Sequence, residues 1–245
     1  MASRLVRAFH AVEDSLAFLS IFLLALGLLL EAVARKVFNT GISDSSAYVQ
    51  HLVLAATFIA AAITSRENKH LSLAAALPLR GTAKSLVGAL VSAVAASLTL
   101  AFGLSALSFA WSAFTPADKI GFFPKRLVAL VMVAGFLLMS LRFITGIEKK
   151  RLRAPAAAGA VLLGLLFGFD PLVRFLTGSG ARSIPFLVSL QDHLQPVLQG
   201  LATPMIVALV AAAFLGLPIF LVLGGVGFFL FAKFGQPLEI IPNQA

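Results

Sequence analysis

The stretch LAFLSIFLLALGLLLEAV, residues 16–33, decides the fold class of this chain, and Glu31 is its one charged residue. A transmembrane helix needs about 20 mostly apolar residues to cross about 30 Å of hydrocarbon. A transmembrane β-strand would instead show about ten residues of alternating character. The stretch therefore predicts a membrane-spanning helix.

The composition of the whole chain agrees with this prediction. Of 245 residues, 60% are hydrophobic and 12% are charged. A soluble domain carries about 25% charged residues, so an ordinary soluble enzyme, a disordered protein and a fibrous one are excluded. The chain has no cysteine, which excludes disulfides, thiol catalysis and cysteine–zinc sites. The net charge of +9 comes from basic residues in short loops between apolar runs, which indicates membrane topology and no nucleic-acid partner.

Five further apolar runs predict an all-α, polytopic membrane protein with about six transmembrane helices. They cover residues 48–64, 86–111, 127–147, 156–176 and 204–231, and Asp170-Pro171 interrupts the fifth near its end. A charged linker that ends in a proline predicts a boundary near residue 150.

That boundary divides the chain into three parts. Residues 1–150 are predicted to form a four-helix unit. Residues 151–203 form a linker with a connecting transmembrane helix and a polar outer loop, and residues 204–245 form a C-terminal segment. Within the polar stretch, residues 189–199 fit either a helix at the membrane interface or a partly buried loop.

Loop arginines and lysines predict the orientation. An N-terminus in the cytoplasm leaves ten basic residues inside, namely Arg4, Arg7, Arg66, Lys69, Arg80, Lys84, Lys149, Lys150, Arg151 and Arg153. Among the first four spans it leaves five in the outside loops, namely Arg35, Lys36, Lys119, Lys125 and Arg126. The positive-inside rule favours this arrangement, with Tyr48 and Trp111 at the outer interface. The first run is long for a signal peptide, so we expect an uncleaved span.

No arrangement of residues predicts catalysis or metal binding. The four histidines lack metal-ligand spacing, so we expect no catalytic, cofactor or metal site in this chain. The glycines at 224, 225 and 227 indicate close helix packing, whereas the GxxxG pair Gly164 and Gly168 fits either a helix contact or chance.

Ionisable groups near the spans are costly to bury in lipid. Glu31 and Arg35 are four residues apart, which predicts an ion pair at the outer boundary or a polar contact with a partner subunit. Arg142 is interpreted as snorkelling to the inner interface. Arg66 and His70 are interpreted as structural residues of the inner face. The first four spans show no convergent polar groups, which indicates a scaffold.

Three stretches together suggest a family. They are EAVARKVFN at 31–39, SSAYVQ at 45–50 and RENKHLSL at 66–73. Their order and spacing resemble the small membrane subunit of tripartite ATP-independent periplasmic (TRAP) transporters. The resemblance covers roughly residues 5–150.

The C-terminal segment carries a second resemblance. FLGLPIFLVLG at 214–224 looks like the first helix of the large TRAP membrane subunit, and PLEIIPNQ at 237–244 looks like the segment after that helix. Residues 156–176 would then be the connecting helix of fused permeases. The large-subunit helices that hold the family's sodium and substrate sites are not within residues 1–245, so sodium ions are expected in the partner.

The resemblance implies a component of a sodium-coupled transporter in the bacterial inner membrane. The transporter would take up an organic acid delivered by a periplasmic binding protein, with this chain as a scaffold for the large subunit. The residues expected to contact partners are Glu31, Arg35, Lys36, Asp44, Asp118 and Lys119. The alternatives are a non-transporting scaffold or assembly subunit, and a membrane-embedded enzyme.

Overall fold

A computed structural model describes residues 2–67, 81–121, 123–177 and 185–235. Within these ranges the chain forms eight α-helices and one two-stranded hairpin. They are α1 (Ala2–Phe38), α2 (Ser45–Arg66), α3 (Gly81–Ser112), β1 (Lys119–Ile120), β2 (Phe123–Pro124), α4 (Lys125–Thr145), α5 (Lys150–Phe167), α6 (Phe169–Thr177), α7 (Pro185–Phe214) and α8 (Ile219–Lys233).

Five of these helices are long and apolar enough to cross a membrane, namely α1, α2, α3, α4 and α7. The bent pair α5 and α6 makes a sixth if it counts as one span. The prediction of an all-α polytopic membrane protein is confirmed. The first four spans lie where the apolar runs placed them.

The first helix is much longer than its apolar run. It has 37 residues, which corresponds to about 55 Å of helix. That length exceeds the roughly 30 Å of hydrocarbon by several turns. The charged residues before Leu16, including Glu13, therefore belong to the same helix as the apolar stretch.

The fifth predicted span is broken as expected, two residues earlier than the Asp170-Pro171 pair. Helices α5 and α6 meet at Gly168 with a bend of 62°. Pro171 has no N–H to bond the carbonyl of residue 167, so the helical ladder cannot continue through the junction. In the first turn of α6 the same proline is well tolerated.

The sixth predicted span, residues 204–231, is wrong as one helix. The chain turns between Phe214 and Ile219, where Gly216 adopts a φ of 105° and Pro218 precedes α8. Leucine-rich sequence continues through this turn, which hides it from a hydropathy pattern. Helices α7 and α8 pack against each other as a hairpin, and a methyl group at Gly225 would lie 2.6 Å from Cδ1 of Leu209.

The structure also differs from the prediction in the stretch expected to form a polar outer loop. Residues 189–199 lie inside α7, so they are helical and not a loop, whereas their position at the membrane interface stays a prediction. The boundary drawn at 203–204 falls in the middle of this continuous helix. Pro196 and Pro204 lie within it.

Helix α3 is the centre of the bundle. Half of its apolar window is buried, against 6% for the window of α1. It packs against α4, α5, α6 and α8. Its buried residues are mostly small, which lets neighbouring backbones approach closely: Ala89, Ala95, Ala96, Ala101, Ala106 and Ala110.

The GxxxG pair is a real helix contact. A methyl group at Gly164 would lie 2.7 Å from Cδ2 of Leu100, and one at Gly168 would lie 2.6 Å from Cδ1 of Leu104. Both glycines therefore face α3, and α3 and α5 run parallel. The packing role of the 224–227 glycines is confirmed for 224 and 225, whereas Gly227 faces open space.

Candidate functional site

The six residues predicted to contact partners lie at one end of the bundle, here called the hairpin side. Because consecutive helices alternate in direction, this end brings together the end of α1, the start of α2, the end of α3 and the β-hairpin. The opposite end, with the start of α1, is called the N-terminal side.

On the hairpin side, Glu31 and Arg35 form the ion pair that their spacing predicted. Arg35 Nε donates a hydrogen bond of 2.7 Å to Glu31 Oε1. The backbone N–H of Ile42 donates to Glu31 Oε2 at 2.8 Å. The Glu31 side chain is 14% exposed and that of Arg35 is 70% exposed. Glu31 therefore holds the α1–α2 loop against α1, while Arg35 remains exposed.

Asp118 is built into the turn between α3 and the hairpin. Its Oδ2 accepts hydrogen bonds from the Thr115 backbone N–H at 2.6 Å and from the Thr115 hydroxyl at 2.8 Å. These two bonds, the backbone one first, hold the pKa of the Asp118 carboxyl below its ordinary value. Asp118 thus supports the turn that presents Lys119.

The β-hairpin was not predicted from the sequence. Lys119 pairs with Pro124 and Ile120 with Phe123. Gly121 adopts a φ of 55°, and a side chain there would collide with the Tyr48 hydroxyl. The hairpin therefore rests on the first turns of α2.

Arg126 closes the end of α3 beneath the hairpin. Its Nε donates to the Phe114 carbonyl at 2.5 Å and its Nη2 to the Trp111 carbonyl at 3.1 Å. Its guanidinium carbon lies 5.1 Å from the centroid of the Trp111 ring. The Trp111 carbonyl is one of the acceptors that a helix leaves unsatisfied at its C-terminal end, and Phe114 lies two residues beyond that end.

Three of the predicted contact residues on the hairpin side are exposed. Lys36, Asp44 and Lys119 are exposed, and no ion pair joins any of them to another described residue. Asp44 has a φ of 58°, which turns the chain into α2. These two lysines and one aspartate give the exposed residues a net charge of +1.

On the N-terminal side, the structure contains a buried charge network that sequence reasoning missed. Arg142 Nη2 lies 2.5 Å and 2.7 Å from the two carboxylate oxygens of Glu13, and its Nη1 donates to the Ala62 carbonyl. Arg66 Nη1 donates to Glu13 at 3.4 Å, and its Nη2 to Asp14 at 2.8 Å. The network joins α1, α2 and α4.

Two interpretations made from the sequence need correction here. Arg142 does not snorkel: its side chain is 12% exposed and points to Glu13. The first four helices do contain convergent polar groups, from Glu13, Arg66 and Arg142. Glu13 was missed because α1 was started at residue 16. His70 lies outside the described residues.

A second polar cluster lies where α6 meets α7. Asp170 accepts a hydrogen bond from Arg174 Nε at 3.0 Å and another from Gln191 Nε2. Beside them is a cavity of about 50 Å³ whose wall includes Phe167, Phe228 and Phe229. This contact links the broken helix to the α7–α8 hairpin.

Comparison with protein families gives a match. The family model for the DctQ component of tripartite ATP-independent periplasmic transporters matches residues 24–151, more than half of the chain. The match contains all six predicted contact residues together with Arg66 and Arg142, whereas Glu13 precedes it. No curated protein and no solved structure matches the chain. The chain therefore belongs to the DctQ family, the small membrane component of TRAP transporters.

Proposed function

We propose that this chain braces the large membrane subunit of a sodium-coupled TRAP transporter, which takes up an organic acid delivered by a periplasmic binding protein. Membership of the DctQ family supports a membrane component that works with a large membrane subunit and a substrate-binding protein. Sodium coupling, the organic acid and the bracing role are the further steps of the proposal.

The buried network of Glu13, Arg66 and Arg142 carries the bracing role. It connects three helices by charge-assisted hydrogen bonds, the strong kind in a protein interior. Helices α1 to α4 are each unbroken, unlike the discontinuous helices that hold substrate at the midplane of many transporters. A unit of this kind resists deformation while a neighbouring subunit moves. In this proposal the sodium sites lie in the large subunit and no cofactor belongs to this chain.

The orientation follows from the distribution of basic residues. By sequence, ten lysines and arginines belong to the N-terminal side of the first four spans and five to the hairpin side, so the positive-inside rule favours a cytoplasmic N-terminus. The hairpin side then faces the periplasm, where Arg35, Lys36, Asp44 and Lys119 are accessible to a partner. Arg66 and His70 belong to the inner face, with a structural role.

The C-terminal part is the start of a large-subunit unit in this proposal. Helices α5 and α6 act as the connecting helix between residues 1–150 and that unit. The α7–α8 hairpin carries the stretch at 214–224 that resembles the large subunit, and residues 237–244 lie outside the described residues. The contact of Asp170 with Gln191 supports a close connection between the two parts.

Reconstitution tests the proposed activity. The chain, the large membrane subunit and the binding protein are incorporated into liposomes, and uptake of a panel of labelled organic acids is monitored. We expect uptake that needs an inward sodium gradient and all three proteins. Uptake that persists without this chain would contradict the proposal and favour an assembly role.

A further inference from the structure

The turn from α4 to α5 carries a dense group of positive charges, here called the basic corner. It consists of Lys149, Lys150, Arg151 and Arg153. Lys150 and Arg151 are exposed, and Arg153 Nε donates to the Ile147 carbonyl at 2.8 Å. No carboxylate among the described residues forms an ion pair with any of the four. With the exposed neighbour Glu148 counted, four cations and one carboxylate leave a net charge of +3 at the corner.

This charge does not stabilise the helix on which it lies. The N-terminal end of a helix carries partial positive charge, which favours acidic side chains and disfavours basic ones. The first turn of α5 has no acidic residue, and its cations lie at this unfavourable end. A negative group outside the chain would compensate both the side chains and the helix end.

The surface below the corner is apolar and exposed. On α5, Arg151 continues at helical spacing into Pro155, Ala158, Leu162 and Leu165, all of them exposed. Leu162 is 70% exposed. The fourteen steps from Arg151 to Leu165 correspond to about 21 Å of helix. One helix face thus offers a cation first and then a long apolar surface.

The neighbouring helix repeats this order. Helices α3 and α5 are parallel, since Leu100 meets Gly164 and Leu104 meets Gly168. With that register, the exposed Lys84 of α3 is level with residue 148, at the corner. Below it, Leu86 and Leu90 are 56% and 60% exposed.

We infer that the basic corner binds an anionic phospholipid, with the phosphate at Lys149, Lys150 and Arg151 and the acyl chains along the exposed faces of α5 and α3. Clusters of basic residues beside a transmembrane helix attract anionic lipids. A zwitterionic lipid is attracted less strongly to the basic corner, because its ammonium group offsets the charge of its phosphate. The inference does not depend on which solute the transporter carries.

Lipid retention in purified protein tests this inference. Full-length chain in a neutral detergent is titrated with phosphatidylglycerol or phosphatidylcholine, and bound lipid is counted by native mass spectrometry. In the Lys149→Gln, Lys150→Gln, Arg151→Gln variant we expect phosphatidylglycerol affinity to fall on the order of tenfold. The control variant Lys36→Gln, Lys119→Gln, Lys125→Gln removes three cations from the hairpin side, and its affinity should match the wild type.

Equal losses in the two variants would overturn the inference, since they would indicate general charge attraction. Equal affinity for the two lipids in the wild type would overturn it as well. Displacement of the lipid by matched inorganic phosphate would indicate a free-phosphate site instead. Circular dichroism melts confirm that each variant is folded, and Arg151→Gln alone, compared with Arg151→Lys, repeats the test with a smaller change.

Discussion

Arg142 on α4 contacts both carboxylate oxygens of Glu13 on α1, at 2.5 Å and 2.7 Å, across 129 residues of sequence. Their side chains are 12% and 8% exposed. Helices α1 and α2 are the most peripheral of the first four helices, since only 6% of the apolar window of each is buried. The pair therefore fixes the N-terminal end of a helix that has little packing of its own.

Replacing Glu13 with glutamine should strongly destabilise the protein. Removing one partner of a buried ion pair leaves an uncompensated charge and typically costs about 3–5 kcal/mol. Thermal unfolding in detergent measures the loss. The control Asp14→Asn changes a carboxylate that is 55% exposed, and it should cost less than about 1 kcal/mol.

A double variant measures the interaction between Glu13 and Arg142 apart from the contacts that each residue makes with its other neighbours. Glu13→Leu with Arg142→Met removes both charges, so it should be more stable than Glu13→Leu alone. Additive losses in the two single variants and the double variant would contradict a direct interaction between these residues.

Replacing Gly164 with alanine should weaken the contact between α3 and α5. The new methyl group would lie 2.9 Å from Cβ of Leu100, an atom that cannot move without its helix. Overpacking of this kind typically costs about 1–3 kcal/mol. The matched control is Gly159→Ala, where nothing lies within 4 Å of the added methyl group. This control should stabilise α5 by up to about 1 kcal/mol, because alanine favours helix over glycine. Equal melting temperatures for the two variants would disagree with the packing described here.

The Thr115–Asp118 turn should resist acid. The pKa of Asp118 is lowered in the folded protein by the two bonds from Thr115. Its contribution to stability is therefore fully present above the unfolded value of about 3.9 and is lost as the pH falls through the lower folded value. An NMR titration of the Thr115 amide should give a midpoint below about 3.9. The transition should be absent in Asp118→Asn, and a midpoint above the unfolded value would refute the assignment.

Reversing the charge of Lys36 and Lys119 should weaken the productive encounter with the binding protein. Exposed charges chiefly change association rates, and electrostatic steering contributes about 10-fold or more. We expect Lys36→Glu with Lys119→Glu to raise the binding-protein concentration for half-maximal uptake on the order of tenfold. The conservative variant Lys36→Arg with Lys119→Arg should behave like the wild type. Unchanged half-maximal concentrations in the charge-reversed variant would remove these two lysines from the interface.

Much of the architecture could be predicted because membrane helices are encoded locally. The apolar runs of the first four spans are flanked by charged residues, and the Glu31–Arg35 pair lies within one helix turn. The reversal at Gly216 and Pro218 was missed because the residues on both sides of it are equally apolar. Hydropathy indicates which residues favour lipid, and it does not show where the chain reverses direction between two helices.

The buried network was missed for a different reason. Glu13 precedes the apolar run of α1, and its partner Arg142 comes after the most apolar part of α4. Each residue alone fits a solvated helix end. Only the packing of the helices brings the two residues together. Helix α1 also extends beyond its apolar run by several turns, so the apolar pattern did not place Glu13 in a helix.

Co-purification tests the central claim most directly. The chain is tagged in its native membrane and extracted gently, and the proteins that accompany it are identified by mass spectrometry. We predict a polytopic partner with the large-subunit pattern in stoichiometric amount, and loss of that partner when the tag is moved to an unrelated membrane protein. Recovery of this chain alone, or with unrelated proteins only, would contradict its role as the small subunit of a TRAP transporter.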